Sequence, residues 1–227
     1  MKKIIIFGTS EIARLAHYYF TNDSQFEIVA FTVDGEFMQM TTLLGLPVVP
    51  FEDVTSVYPP DTFDMHVALS YAKLNQLREK KFNDAKFKGY KLVSYICSKS
   101  VVWGSESIGE NCFILENQTI QPDVVIGSNV MIWSGNHIGH GSNIGDHTYI
   151  ASHVVISGNC SIGKRCFFGV NSAIKDFTKI GDDVFITMGA LVSKDIESGA
   201  IVLGPQCEVY PQSDRRNRMI VKKYFNM

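Results

Sequence analysis

The chain has 227 residues, 45% hydrophobic and 19% charged, which suits one sizeable globular domain or two small ones and excludes a disordered polymer. A formal charge of -2 gives no bulk attraction to nucleic acid or to an anionic membrane, and no stretch approaches the roughly 20 apolar residues that span a bilayer. The opening MKKIIIFG has too short an apolar core for a signal peptide, so a cytoplasmic protein is expected, without nucleic acid or membrane as partner.

Residues 1–97 read as alternating strands and helices. Lys3 to Phe7 is a short buried strand, and Gly8-Thr9-Ser10 turns it into a helix through Phe20, with Ile12, Leu15, Ala16 and Tyr19 on one face. Glu27 to Val33 is a second strand ending at Asp34-Gly35, and Val48-Val49 is a brief third. Met65 to Ser70 is another, followed by a helix from about Lys73 to Phe87 and a return strand over Lys91 to Ile96. This alternation implies a small Rossmann-like α/β domain whose ligands bind at the strand C-terminal ends. The dinucleotide fingerprint is reduced to its first glycine, in Gly8-Thr9-Ser10-Glu11-Ile12-Ala13. Even so, Gly8, Thr9 and Ser10 place N–H groups and two hydroxyls at a helix start, which suits an anion, and Asp34 is placed to accept from a sugar hydroxyl. The same residues also make an ordinary turn and helix cap. His17 and His66 read as structural.

Over residues 98–198 the grammar changes. An aliphatic or aromatic residue falls at every sixth position from Ile108 through Ile114, Ile120 and onward to Ile186 and Val192. A period of six fits neither a helix nor a short alternating strand; it fits a solenoid that turns one corner per hexapeptide. Ile-Gly recurs every 18 residues, at Ile108, Ile126, Ile144, Ile162 and Ile180, so three hexapeptides make a coil and neighbouring coils stack about 4.8 Å apart. Five coils are expected, with Val102 in a partial sixth and residues 199–227 as a cap. The cluster Arg215, Arg216, Arg218, Lys222 and Lys223 in that cap reads as a solvated helix face. Cys112, Cys160 and Cys166 each lie four positions after a core residue, in a slot otherwise filled mainly by Val, Ser, Thr and Ala, so they read as packed thiols and no metal site is expected.

On such a prism, residues 18 apart are vertical neighbours. His140 lies between Pro122 and Gly158, two positions past a core isoleucine and pointing outward. It can serve as a general base while the Gly158 N–H donates to an oxyanion; the bland alternative is a surface histidine beside a turn glycine. Gln118 and Asn136 are vertical neighbours and the two amides in the small-residue slot. They either orient the loop carrying His137 and His140 or form a purely structural ladder. His137 suits a substrate or subunit contact, and His147 and His153 a subunit contact.

The run of [Ile/Val]-Gly-x-x-[small]-x resembles the left-handed β-helix of hexapeptide-repeat acyltransferases. With the N-terminal α/β domain, the chain is similar to the subfamily of bacterial nucleotide-sugar N-acetyltransferases and sialic acid O-acetyltransferases, which serve surface-glycan synthesis. The resemblance implies a homotrimer with active sites between adjacent subunits, acetyl-CoA along the groove, no metal, and a nucleotide-linked amino sugar held by the N-terminal domain. It places the catalytic histidine on His140, within Asn136-His137-Ile138-Gly139-His140-Gly141, and the thioester-binding glycine on Gly158. The late signature falls on Gly189-Ala190-Leu191-Val192-Ser193-Lys194, where Gly189, Ala190 and Lys194 would meet CoA. Gly8, Thr9, Ser10 and Asp34 correspond to nucleotide-binding positions.

Three departures stand out. Gly141 replaces the acidic residue that usually follows the histidine, leaving Asp123, Asn136 or a neighbouring subunit to orient the imidazole. Tyr149 replaces a second histidine that helps hold the cofactor, and Gly204-Pro205-Gln206-Cys207 replaces a GNPA-like turn. The expected reaction is acetyl transfer to an amine, with His140 taking the proton and Gly158 holding the oxyanion. The alternatives are O-acetylation of sialic acid or another surface sugar, and a sugar-binding trimer without turnover.

Overall fold

The computed structural model describes residues 2–104 and 107–226. The first strand, β1 (Lys2–Phe7), is buried from Ile4 onward, which only a strand covered on both faces requires. It pairs in parallel with β2 (Phe26–Val33) on one side and β5 (Asp64–Val67) on the other. Strand β4 (Leu46–Pro50) adds to β2, and the two-residue β3 (Thr42–Leu43) closes on β4 as an antiparallel hairpin. The order β3-β4-β2-β1-β5 reverses direction at β1, so a crevice opens beyond the carboxyl ends of β1 and β2. Helix α1 (Glu11–Asn22) starts there, burying Ala13, Ala16 and Phe20.

The next long helix begins later than its sequence suggests. Lys73, Leu74 and Asn75 take left-handed φ values of 53°, 49° and 67°, so the helix proper spans Gln76–Phe87, after a four-residue α2 at Val54–Val57, and is α3 here. Three consecutive non-glycine residues in that region form a strained turn held by the surrounding structure.

The solenoid is a left-handed β-helix of triangular section, with three parallel sheets. It begins earlier and ends later than expected. Tyr95–Ile96 pairs with Phe113–Ile114, so the last part of the expected return strand is already the first coil, while Leu92 makes only a bridge to Met65. Val101–Val102 pairs with Thr119–Ile120, completing that coil. After Val192 the period shortens: Ile196 bridges Ile180 and Val202 pairs with Ile186, each 16 residues on. The cap therefore starts after Val202.

Each coil donates one inward residue per hexapeptide, and these fill the core with Ile, Val and Phe168 beside the small slot. Cys112, Cys160 and Cys166 lie in that slot, buried, and burial pushes Cys112 up to about 12 and Cys166 up to about 11. The corners carry a second period of six: Asn111, Asn117, Asp123, Asn129, Gly135, Gly141, His147, His153, Asn159, Arg165, Asn171, Phe177, Asp183 and Gly189 all have φ between 55° and 80°. Asn, Asp and Gly reach this region most cheaply, which accounts for most of the series.

The outward residues give each face its own chemistry. One sheet presents Tyr95, Phe113, Met131, Tyr149 and Phe167, an aromatic face on which the α/β domain packs through Phe20, Tyr19 and Leu15. A second presents Val101, Thr119, His137, Val155, Ala173 and Leu191, an apolar face. The third presents Val125, Asn143, Ser161 and Lys179 and is polar.

Candidate functional site

His140 stands on the corner between the apolar and polar faces, the corner opposite the aromatic face that the α/β domain covers. Its column continues through Gly158 and Asp176 to Lys194, which lies three coils, or about 14 Å, further along the same edge. The imidazole lies flat over Gly158: a Cβ there would sit 2.8 Å from His140 Cε1 and 3.1 Å from Nε2. Only glycine lets the ring approach the backbone so closely. The Gly158 N–H has no acceptor among the described residues, so a donor is left open beside the imidazole.

The orienting group was not foreseen. Gln121 Oε1 accepts from the His140 backbone N–H at 2.9 Å and lies 3.2 Å from Nδ1. A neutral ring then carries its proton on Nδ1 and leaves the Nε2 lone pair open. Gln121 lies one coil above Gly139, so the same 18-residue register that located Gly158 also marks it. The expected orienters are elsewhere. No hydrogen bond joins Asp123 to His140; Asp123 holds a left-handed corner at φ 60°. Asn136 is buried in the coil wall, where Oδ1 accepts from Val154 N at 2.6 Å, its backbone N donates to Gln118 Oε1, and Nδ2 donates to Trp133 O. Gln118 Nε2 donates to Leu115 O and Trp133 O, so the two amides form a ladder that satisfies backbone groups and does not reach the imidazole. Position 141 is a left-handed corner, φ 66°, and a side chain there would displace the Asn159 amide, whose Oδ1 lies 2.6 Å from where its Cβ would stand.

The second group of expected residues does converge. Gly8, Thr9, Ser10 and Asp34 line one cavity of about 280 Å³ at the sheet's switch point, with Phe7, Val33, Phe37, Leu69, Leu77 and Lys81. Lys81, buried on α3, donates to Asp34 Oδ1 at 2.6 Å and lies 5.5 Å from the Phe7 ring. Burial pulls the Lys81 ammonium down, but Asp34 and then Asp84 outweigh it and hold its pKa above the usual lysine value. Asp34 is thus a fixed, half-neutralised acceptor whose Oδ2 has no partner among the described residues.

Tyr149, at the position of a cofactor-holding histidine in the family, lies apart from His140 in this chain. It is not on the His140 edge but on the aromatic face, stacked on Phe167 at 5.1 Å, edge-on to Tyr71, and pushed up to about 12 by burial. With Ser10, Glu11, Ile12, Ser70, Tyr71 and Trp133 it lines a second cleft that shares Ser10 with the first cavity. Trp133 Nε1 is buried there with no partner among the described residues. The wall of this cleft is fixed by Arg78, which sequence inspection missed. Its guanidinium is fully buried, donating to the carbonyls of Asn129, Ser70 and His147 and to Asn75 Oδ1, while Asn75 Nδ2 donates to Cys166 O. With no carboxylate against it, burial lowers its pKa to about 10.

Of the other expected residues, His137 is half-buried on the apolar face, and Gly189 takes a left-handed corner, φ 69°, with Ala190 buried beside it. Lys194 is exposed. Among the described residues no group of three His, Cys, Asp or Glu side chains is placed to hold a metal, and no helix is long and apolar enough to cross a membrane.

Residues 107–136 and 123–158 match the bacterial transferase hexapeptide (six repeats), and residues 160–194 match the hexapeptide repeat of succinyl-transferase. No curated protein matches the chain in sequence. Among solved structures the chain is similar to PerB from Caulobacter crescentus, crystallised with CoA and GDP-perosamine, at TM-score 0.76 and 22% identity over 90% of this chain and 98% of that one. It is similar to the acetyltransferase domain of PglB from Neisseria gonorrhoeae at TM-score 0.75 and 22% identity, over 88% and 96%. WeeI from Acinetobacter baumannii matches at TM-score 0.54 and 22% identity, over 92% and 100%. At such identities these likenesses establish a shared fold.

Proposed function

On the premise that this chain is a hexapeptide-repeat protein of the bacterial transferase type, we propose that it is an acetyl-CoA-dependent N-acetyltransferase acting on the amino group of a nucleotide-linked deoxyamino sugar. The observation that carries this reading is the imidazole of His140 lying on Gly158, with Nε2 and the Gly158 N–H both open and Nδ1 beside Gln121. A base and an oxyanion donor on one edge are what acyl transfer to a neutral amine requires. The amine nitrogen attacks the thioester carbonyl and His140 Nε2 takes its proton. The Gly158 N–H meets the developing oxyanion. As the C–S bond breaks, the imidazolium returns the proton to the CoA thiolate. A neutral amine needs less activation than a sugar hydroxyl, so a histidine held by an amide rather than a carboxylate suits N-acetylation.

The two joined cavities support the substrate class. The first offers Gly8, Thr9 and Ser10 to phosphate and Asp34 to a ribose; the second offers Tyr71 and Tyr149 to a sugar ring. PerB, of the same fold, was crystallised with CoA and a GDP-linked sugar. Lys194, on the His140 edge, would lie along CoA, with Gly189 and Ala190 on the adjoining corner.

The α/β domain and His140 occupy opposite sides of the prism, so one chain does not bring its nucleotide pocket to its own base. We assign the working site to two subunits of a homotrimer that pack through the apolar face, the nucleotide pocket of one serving His140 of the next, in the cytoplasm where acetyl-CoA is held. Free thiol release from acetyl-CoA, measured with UDP-, dTDP- and GDP-linked amino sugars, tests the reading. Release with one such acceptor, and none with the corresponding hydroxy sugar, is expected; no release with any of them would sink it.

A further inference from the structure

The C-terminal helix α4 (Arg215–Phe225) buries none of its residues. Asp214 caps it, accepting from Arg216 N at 2.8 Å, so the helix starts by local chemistry rather than by packing. At 3.6 residues per turn, Ile220, Val221, Tyr224 and Phe225 share one face, with Asn217 at its N-terminal end turned to donate to Tyr210 O at 2.8 Å. Arg215, Arg216, Lys222 and Lys223 line the opposite one around an exposed Met219, with Arg218 at the boundary beside Phe225. The apolar face is in water: Ile220 is 41% exposed, Tyr224 69% and Phe225 71%.

Five of the 21 basic residues fall in this helix, and none of the 23 acidic ones do. The helix dipole explains Lys222 and Lys223 in the last turn, and Arg216 pairs with Asp214 at 2.9 Å over the Tyr210 ring, but neither accounts for Arg215, which the dipole disfavours in the first turn, or for Arg218. The basic excess therefore serves something outside the helix. We propose that α4 lies in the interface of a bilayer rich in anionic phospholipid, its apolar face among the upper acyl chains and its arginines and lysines against the headgroups. The bulk charge of -2 argues against such a surface only when averaged over the chain; the positive charge is concentrated where the apolar face is. A single helix of 11 residues binds weakly and reversibly, so the association is peripheral and sensitive to salt. The inference stands independently of the acyl-transfer reading.

Flotation of the full chain with vesicles tests it, using phosphatidylcholine alone and phosphatidylcholine with about 30% phosphatidylglycerol, at about 0.1 M and about 0.5 M salt. Binding to the anionic vesicles at low salt, released at high salt and absent from neutral vesicles, is expected. R218E/K222E should lower binding by at least roughly fivefold per charge, and I220S/F225S by tenfold or so, with thiol-release activity on soluble substrates unchanged. Equal binding to neutral vesicles, equal binding by either variant, or no binding at all would overturn the proposal. So would a chain ending at Ser213 that changes oligomeric mass but not vesicle binding, since a second copy would then cover the helix.

Discussion

A general base needs one nitrogen held and the other open, and His140 meets both conditions through neighbours on adjoining coils. Gln121→Ala removes the acceptor beside Nδ1 and should lower kcat about tenfold with the KM for acetyl-CoA unchanged; Gln121→Glu should keep or raise kcat. Steady-state kinetics on the two variants would decide, and a Gln121→Ala enzyme at full rate would remove Gln121 from the mechanism. His66 makes a different prediction. It is wholly buried, with Nδ1–H donating to Val93 O at 2.9 Å, and burial lowers its pKa to about 4. Unfolded, it titrates near 6.5, so between about 4 and 6.5 the unfolded chain binds a proton that the folded chain refuses. Stability therefore falls as pH drops through that window, at most by about 1.4 kcal/mol per pH unit from this group. His66→Asn keeps a donor for Val93 O and cannot titrate, so its denaturation midpoint should fall less steeply with acidification than that of the parent; parallel slopes would refute the assignment.

Helix α3 shows why a large part of the site was hidden in the sequence. Its inward residues are Arg78, Lys81, Phe82 and Ala85, spaced as an amphipathic helix requires, but two of them carry charge. Hydropathy therefore gives no inward stripe, although Lys81 lines the Gly8–Asp34 cavity and Arg78 holds the coil carbonyls behind the Tyr71–Tyr149 cleft. The β-helix was legible for the opposite reason. Its period is enforced by stacking, so Ile138, Ile156 and Ile174 had to recur, and the column of His140 over Gly158 followed from arithmetic. The same arithmetic failed beyond Val192, where a coil of 16 residues breaks the register. It does hold for Tyr149, whose register puts it on the aromatic face between Met131 and Phe167. Arg78→Met would strand the carbonyls of Asn129, Ser70 and His147, and should cost about 2–4 kcal/mol in urea denaturation while raising the KM for the nucleotide sugar more than that for acetyl-CoA. A loss below about 1 kcal/mol would show that water replaces the guanidinium without consequence.

At the scale of the whole molecule, the three faces of the prism differ in chemistry: the aromatic face carries the α/β domain, the second is apolar and the third polar, and the proposed trimer packs through the apolar one. His140 lies opposite the Gly8–Ser10 cavity in a single chain; on the proposed reading turnover requires assembly, and dilution below the trimer's dissociation range should abolish it. Mixing two inactive variants measures this most directly. His140→Ala removes the base and Thr9→Trp fills the nucleotide pocket; each alone should be inactive as a homotrimer. Co-expressed in equal amounts, they should recover up to about a quarter of the parent's thiol-release rate, because a site is whole when an intact pocket meets an intact base on the next subunit. No recovery in mixed trimers of confirmed composition would contradict a site shared between subunits with His140 as its base.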